Sequence, residues 1–312
     1  MNAIPPPHAN DPAPPPPSPR VWTTLDLINW TKGYFEKKGL DHPRLEAELL
    51  LCEALGCPRI RLYVDFEKPV SAENLTTFRD FVKRRGEKRE PLQYIVGHTQ
   101  FIDLKIKVTP AALIPRPETE ILAVWAVDRL KSRTDVAVAG RVLDLCTGTG
   151  CIALYAASKI SDAQVLATDI SAAALALASE NAVALKLNTR VEFFEGDLFG
   201  ALNETQRAEG FDVIATNPPY IDDTTRSTLQ PEVRDYEPAS ALFAGEGGVA
   251  ISRRIIETCS PWLKPGGWLG LEFGAGQQEI IREIAVGTGN FADIQIEKDG
   301  GRLPRFLYAR KK

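Results

Sequence analysis

Two stretches of the chain bring together groups that could carry out a group transfer. The first is Asn217-Pro218-Pro219-Tyr220, which follows the apolar run Phe211-Asp212-Val213-Ile214-Ala215-Thr216 without a gap. Such a run reads as a buried strand. Two successive prolines stiffen the backbone and remove two amide donors. What is left to face a ligand is a pair of acceptors, the Asn217 side-chain oxygen and the Pro218 carbonyl. Two fixed acceptors suit a planar NH2 group. Its nitrogen is a poor nucleophile because the lone pair is delocalised into the adjoining π system. Holding both hydrogens fixes that nitrogen and favours the pyramidal form that attacks an electrophilic carbon in line. Tyr220 can pack on the planar group. Neither a metal nor a covalent nucleophile is required. Glutamine, adenine and cytosine offer the same NH2 geometry, and the four residues do not choose among them.

The second stretch is Val142-Leu143-Asp144-Leu145-Cys146-Thr147-Gly148-Thr149-Gly150-Cys151, which runs from a strand into a helix. Gly148 and Gly150 allow the backbone to approach a ligand, and amides at the helix start point toward it. Asp169 ends the next strand about 20 residues on, where an acid accepts hydrogen bonds from ribose hydroxyls. A dinucleotide site would carry G-x-G-x-x-G. Here Asp144 precedes the glycines and would repel a pyrophosphate. It suits a ligand with a cationic end, such as the methionine part of S-adenosyl-L-methionine. A sulfonium methyl donor also supplies the electrophile that the Asn217 stretch asks for. S-adenosyl-L-homocysteine would then be the product.

These residues need a scaffold, and the chain has 312 residues, enough for two domains. Apolar residues make up 44% and charged residues 25%, a globular balance that excludes collagen-like, coiled-coil and wholly disordered chains. Residues 1–20 hold 9 of the 23 prolines and read as a solvated tail, partly polyproline II. They lack the apolar segment of a signal peptide. No 18-residue apolar run predicts a transmembrane helix. The five cysteines form no CxxC pair and there are three histidines, so no zinc site or disulfide framework is expected. A cytoplasmic, monomeric protein with reduced thiols is expected.

Residues 21–96 read as a small helical domain of four or five helices. Leu27, Trp30 and Tyr34 recur at helical spacing, Asp41-His42-Pro43 marks a stop and restart, and a helix through Leu45, Leu49 and Leu50 ends near Gly56. Ser71 caps a helix carrying Leu75, Phe78 and Val82. Residues 97–116 read as a β-hairpin linker, with the alternating stretch from Phe101 to Val108 as one arm. Residues 117–312 alternate strands and helices. The strand candidates are 142–145, 165–168, 191–194, 213–216, 268–272, 294–296 and 306–309, the last two pairing as an antiparallel edge hairpin. This is the doubly wound α/β pattern with a seven-stranded sheet.

Together these pieces resemble the glutamine methyltransferases of peptide chain release factors, the PrmC/HemK family. The resemblance runs over nearly all of 21–310. It rests on the helical domain, Ile114-Pro115-Arg116-Pro117-Glu118-Thr119-Glu120, the 144–150 loop, Asp169, the Asn217 stretch with Ile221, Glu237-Pro238 with Ala241-Leu242, and Pro265-Gly266-Gly267 before Glu272. It implies a Rossmann-like class I methyltransferase domain. It also implies methyl transfer from S-adenosyl-L-methionine to the side-chain amide nitrogen of the glutamine in a release factor's Gly-Gly-Gln motif, with no metal. By resemblance, Asp144, Cys146, Thr147, Gly148, Thr149, Gly150 and Asp169 hold the cofactor with Asn217. Asp197 and Leu198 flank the adenine. Asn217, Pro218, Pro219 and Tyr220 hold the glutamine, with Asn217, Pro218 and Tyr220 carrying the chemistry. The helical domain and hairpin are implied to dock the protein substrate.

Two features depart from the family pattern. Many members have glycine where Cys146 stands, and a side chain there is expected to be tolerated if its φ stays negative. The proline tail is the other departure. Glu118 and Glu120 read as helix-start acids; the resemblance suggests instead that their segment, Arg116 to Glu120, shapes the cofactor pocket. Lys83, Arg84, Arg85, Lys88 and Arg89 read as a solvated face or as a dock for acidic surface. The alternative activity is an adenine-N6 or cytosine-N4 methyltransferase of DNA or RNA. Residues 97–312 carry 23 basic against 28 acidic side chains, and 21–96 carry 13 against 12. A net −5 on the catalytic part disfavours nucleic acid. An oxidoreductase and a cofactor-binding scaffold without activity fit the glycine spacing and the full set of motifs less well.

Overall fold

The computed structural model describes residues 21–132 and 139–312; the proline-rich segment 1–20 lies outside them. The chain divides into two units, Met1–Val96 and Gly97–Lys312.

The first unit holds α1 (Thr24–Lys37), α2 (Pro43–Leu55), α3 (Arg59–Val64), α4 (Ala72–Lys88) and α5 (Leu92–Val96). Thr23 and Asp26 form a capping box at the start of α1, Pro43 opens α2, and Gly56 closes it at φ +60°. Ser71 caps α4 through Asn74 N. Leu27, Phe35, Leu50, Leu51 and Phe78 form the core. The buried stripe of α2 is Ala47, Glu48, Leu50 and Leu51, while Leu45 is exposed. The basic run is a solvated face only in part: Lys83 and Lys88 are exposed, while two of its arginines are held by carboxylates. Arg85 is buried and holds Glu46 at 3.0 Å through Nη2. Arg84 grips Glu90 with two bonds of 2.8 and 2.6 Å.

The second unit begins with an antiparallel hairpin, β1 (His98–Phe101) and β2 (Leu104–Lys107). The stretch from Phe101 to Val108 is therefore not a single arm. It contains the turn itself, Ile102-Asp103, between the paired residues Phe101 and Leu104. Ile102 sits at φ +56°, and its N–H donates to Glu120 Oε1 at 2.9 Å. Lys107 is pinned further along by Asn181. Its N–H donates to Asn181 Oδ1 at 2.8 Å, and Asn181 Nδ2 donates to the carbonyls of Lys107 and Thr149.

Then follow α6 (Pro117–Lys131), β3 (Arg141–Leu145), α7 (Cys151–Lys159), β4 (Gln164–Asp169), α8 (Ala172–Ala184), β5 (Val191–Glu195), α9 (Glu204–Glu209) and β6 (Phe211–Thr216). The chain continues through the short helices α10 (Pro231–Tyr236), α11 (Ala239–Leu242) and α12 (Gly245–Gly248), then α13 (Ala250–Thr258), β7 (Leu263–Glu272), α14 (Gln278–Gly287), β8 (Phe291–Lys298) and β9 (Pro304–Lys311). The seven-stranded sheet has the order β5-β4-β3-β6-β7-β9-β8. The first five strands in that order are parallel, and β9 runs antiparallel to both β7 and β8. All seven strand candidates are present.

On one face of the sheet, Leu143, Leu145, Leu269 and Leu271 pack with Ile255 and Ile256 of α13 and Ile281 and Ile284 of α14. On the other lie α6 and α7. Gly270 faces Leu122 and Trp125 of α6, and Trp125 stacks on Tyr308 at 4.1 Å. The chain winds outward from β3 to β5, then returns to β6 on the other side of β3. That reversal opens a crevice at the carboxyl ends of β3 and β6. The register Leu145↔Thr216 sets the residues after them, Cys146 and Asn217, side by side.

Candidate active site

The turn from β3 into α7 is made by three left-handed residues: Cys146 at φ +57°, Gly148 at +56° and Gly150 at +82°. The condition of negative φ at Cys146 is therefore not met. An L-residue in this region costs about 1–2 kcal/mol. Flanking bonds hold it there: Thr147 N donates to Thr168 O at 3.0 Å, and Gly150 N to Thr147 O at 2.9 Å. Burial, then the neighbouring Asp169 carboxylate, pushes the Cys146 thiol up, so it stands as a neutral S–H.

Asp144 lies beneath this turn, fully buried. Its Oδ2 accepts from Thr147 Oγ1 at 2.6 Å and from Ala153 N at 3.0 Å. Burial pushes its carboxyl up to about 7 against those two bonds. Asp144 thus braces the loop from behind. Asp169 braces it from the front: Oδ2 accepts from Gly148 N and Oδ1 from Ser171 N, both at 2.9 Å. Each of its oxygens keeps a lone pair for a further donor.

The Asn217 stretch is fixed from the other side of the crevice. Asn217 Nδ2 donates to Thr119 Oγ1 at 3.0 Å, and Thr119 Oγ1 donates to Glu272 Oε2 at 2.8 Å. Asn217 Oδ1 is buried and accepts no hydrogen bond among the described residues. Tyr220 Oη is at the outer limit of hydrogen bonding from Glu272 Oε1, 3.5 Å. The Tyr220 carbonyl accepts from Gln277 Nε2 at 2.9 Å, and Ile221 pairs with Leu242 and Ala244. Burial pushes the Tyr220 hydroxyl up to about 12 and the Glu272 carboxyl up to about 7.

A cavity of about 310 Å³ lies between the two loops. Cys146, Thr147, Gly148, Thr149, Asp169, Asp197, Leu198, Asn217 and Pro219 line it, whereas Asp144, Gly150, Pro218 and Tyr220 do not. Asp197 pairs with Arg254 at 2.6 Å, and Leu198 takes φ +51° to turn into the wall. The wall also includes Arg116 and Thr119, from the segment expected by resemblance to shape the pocket, together with Ala111 to Leu113 after the hairpin and Pro238, which no motif marks individually. Arg116 Nη2 reaches both oxygens of Glu237 at 2.6 and 2.8 Å, tying the loop before α6 to the loop before α11. Glu237 is buried, and that burial pushes its carboxyl up against the opposing pull of Arg116. Glu118 and Glu120 occupy the first turn of α6 without a capping bond. Glu120 instead secures the hairpin turn. Among the described residues, no three His, Cys, Asp or Glu side chains converge as metal ligands, and no helix is long and apolar enough to cross a membrane.

Residues 26–97 match the family model of the PrmC N-terminal domain, and residues 126–232 match that of the methyltransferase small domain. A protein of Geobacter sulfurreducens named release factor glutamine methyltransferase is 42% identical over 292 residues, spanning 94% of this chain and 98% of its own. A protein of the same name from Rhodopirellula baltica is 39% identical, spanning 93% of this chain and 97% of its own. The chain belongs to the release factor glutamine methyltransferase family. Among solved structures, the hMettl16 catalytic domain in complex with a MAT2A 3′UTR hairpin superposes with a TM-score of 0.52. It is 16% identical and covers 77% of this chain and 80% of its own, a likeness of fold alone. Within this family member, Arg116, Thr119, Glu237 and Glu272 all fall outside the two matched spans.

Proposed function

We propose that this protein transfers the methyl group of S-adenosyl-L-methionine to the side-chain amide nitrogen, N5, of the glutamine in the Gly-Gly-Gln motif of peptide chain release factors. The observation that carries the reading is Asn217 Oδ1. It is a buried acceptor without a partner among the described residues, on a side chain that lines the same cavity as the glycine turn. The near-full-length relatives named for this activity support the choice of glutamine.

The residues present fit the cofactor. A Cβ built on Gly148 would meet only the Ala112 methyl, at 3.9 Å, so the turn offers bare backbone to the cavity. Asp169 keeps lone pairs for ribose hydroxyls, and Asp197 and Leu198 line the same cavity and would flank the adenine. S-adenosyl-L-methionine, when bound, supplies a methyl group activated by its sulfonium. The chain's own residues place the nucleophile. Asn217 Oδ1 accepts one hydrogen of the glutamine amide; the Pro218 carbonyl belongs to a buried residue off the cavity wall and takes the other only once the substrate is seated. Both are neutral oxygens, so they orient and polarise rather than abstract a proton. All five cysteines are free, which suits a reducing, cytoplasmic setting.

The nucleic-acid alternative uses the same acceptors on adenine or cytosine. Net charge favours protein, since residues 97–312 carry an excess of 5 acidic side chains where a nucleic-acid enzyme needs a basic cleft. The test incubates the purified protein with S-adenosyl-L-methionine and a release factor, then weighs the Gly-Gly-Gln peptide by mass spectrometry. One added methyl group on the glutamine is expected. Its absence, or methylation of DNA or RNA at a rival rate, would overturn the proposal.

A further inference from the structure

We propose that Thr119 and Glu272 are positioning residues that set which end of the Asn217 side-chain amide faces the reacting nitrogen, the ionised Glu272 carboxylate fixing the direction of the hydrogen bonds. This rests on the function proposed above.

An asparagine amide has nearly the same shape whichever way it points, and rotation about its last torsion is broad and two-fold. The two orientations are chemically opposite, because one offers an acceptor oxygen and the other two N–H donors. A donor facing the glutamine NH2 would repel it. The Asn217 side chain therefore needs an external reference.

Thr119 supplies that reference. Its hydroxyl has a single hydrogen, and that hydrogen is committed to Glu272 Oε2 at 2.8 Å. A carboxylate accepts only, so Thr119 Oγ1 can present nothing but a lone pair to Asn217. The Asn217 atom 3.0 Å away must then be the donor, Nδ2. Oδ1 is left buried without a partner among the described residues, on a side chain that lines the cavity. Sheet register builds the relay: Thr216 pairs with Leu271, so Asn217 and Glu272 follow next to each other, with the first turn of α6 bringing Thr119 between them.

Protonating Glu272 would reverse the relay. The carboxylic O–H could donate to Thr119 Oγ1 and free the threonine hydrogen for Asn217 Oδ1. The amide would then turn its NH2 toward the substrate with little movement of other heavy atoms. Several charged and titratable groups face Glu272. Glu118 of α6 raises its pKa, while Arg305 of β9 and the Tyr220 hydroxyl lower it. Tyr308 of β9 and Cys151 of α7 also feel its charge. Burial outweighs the lowering effects and holds the carboxyl at about 7. Turnover should therefore fall as pH drops through about 7.

The experiment uses the full-length protein, a purified release factor and S-adenosyl-L-methionine, with Thr119→Val, Thr119→Ser and Glu272→Gln. Thr119→Val should lower kcat about tenfold or more, with cofactor affinity by calorimetry falling far less than kcat and the thermal midpoint near wild type. Thr119→Ser keeps the hydroxyl and should restore most of the rate. The acid limb of wild-type kcat should vanish in Glu272→Gln, because an amide has no proton that titrates in this range. A wild-type kcat in Thr119→Val, or the same acid limb in Glu272→Gln, would overturn the relay. If the wild-type protein transfers no methyl at all, the functional reading falls instead. The relay then stands or falls by nitrogen–proton correlation spectra of the free protein. The Asn217 NH2 signals should titrate near pH 7 in wild type and stay fixed in Glu272→Gln; signals that do not titrate in wild type refute it.

Discussion

Gly248 is far from the reacting atoms in sequence, yet replacing it with alanine should disable the site. It stands at φ +86°, and a Cβ there would overlap the Tyr220 carbonyl oxygen. The same Cβ would lie 2.9 Å from that carbonyl carbon and 2.7 Å from Gln277 Nε2. Ordinary carbon contacts are about 3.5–4 Å, so the carbonyl must retreat by about 1 Å. Doing so strains the 2.9 Å bond from Gln277 and drags the turn that carries Asn217. A shift of about 1 Å in a positioning element costs about 100-fold in rate. The fold should also weaken by about 2–4 kcal/mol, from the left-handed alanine and the overlap together. The measurements are kcat for methyl transfer, cofactor affinity by calorimetry and urea unfolding. Affinity should change far less than kcat, because Gly248 does not line the cavity. Gly247→Ala is the control. Gly247 has φ +68° and nothing within 4 Å of an added Cβ, so it should lose about 1–2 kcal/mol from backbone strain alone and keep its rate. Equal effects of the two substitutions on kcat would refute the reasoning.

Three further outcomes follow from the site's buried groups. Arg116→Ala leaves the Glu237 carboxylate buried without its cation and should cost about 3 kcal/mol at pH 8. Without the arginine Glu237 takes up a proton more readily, so the loss should shrink toward pH 5, as chemical denaturation at the two pH values can check. Cys146→Val should lower stability by about 2 kcal/mol, because a β-branched residue fits the left-handed region poorly. Cys146→Gly should hold or slightly raise it, read from urea midpoints. The Asp144 carboxyl is raised from 3.8 to about 7 in the fold, so its stabilising contribution is complete below pH 3.8 and is lost as pH rises through about 7. Wild type should accordingly lose about 2–3 kcal/mol relative to Asp144→Asn between pH 5 and pH 8. A pH-independent difference would show that the carboxyl is ionised throughout.

What the sequence made legible was governed by local backbone chemistry. Strand periodicity located all seven strands of the sheet, and glycines and prolines at their carboxyl ends marked the two loops that face each other across the crevice. The hairpin was misread for a local reason too: its turn is Ile102-Asp103, with no glycine or asparagine to announce it. The φ of Cys146 was hidden because a cysteine gives no sign of left-handed backbone. The charged run was ambiguous because the partner of Arg85, Glu46, is set by the packing of α4 on α2, and that of Arg84, Glu90, by the turn that follows α4. Thr119 was hidden for a deeper reason. It lies 153 residues from Glu272 and 98 from Asn217, and no periodicity spans such gaps. Both flanking strands, 213–216 and 268–272, had been read correctly, so the missing quantity was their adjacency. Once β7 pairs with β6 in the register Thr216↔Leu271, an acid after Leu271 has to stand beside the asparagine after Thr216. It must then be neutralised, hydrogen-bonded or put to use. Groups that touch the substrate sit on loops whose shape is encoded nearby. Groups that aim them depend on sheet order, and a single sequence does not spell out sheet order.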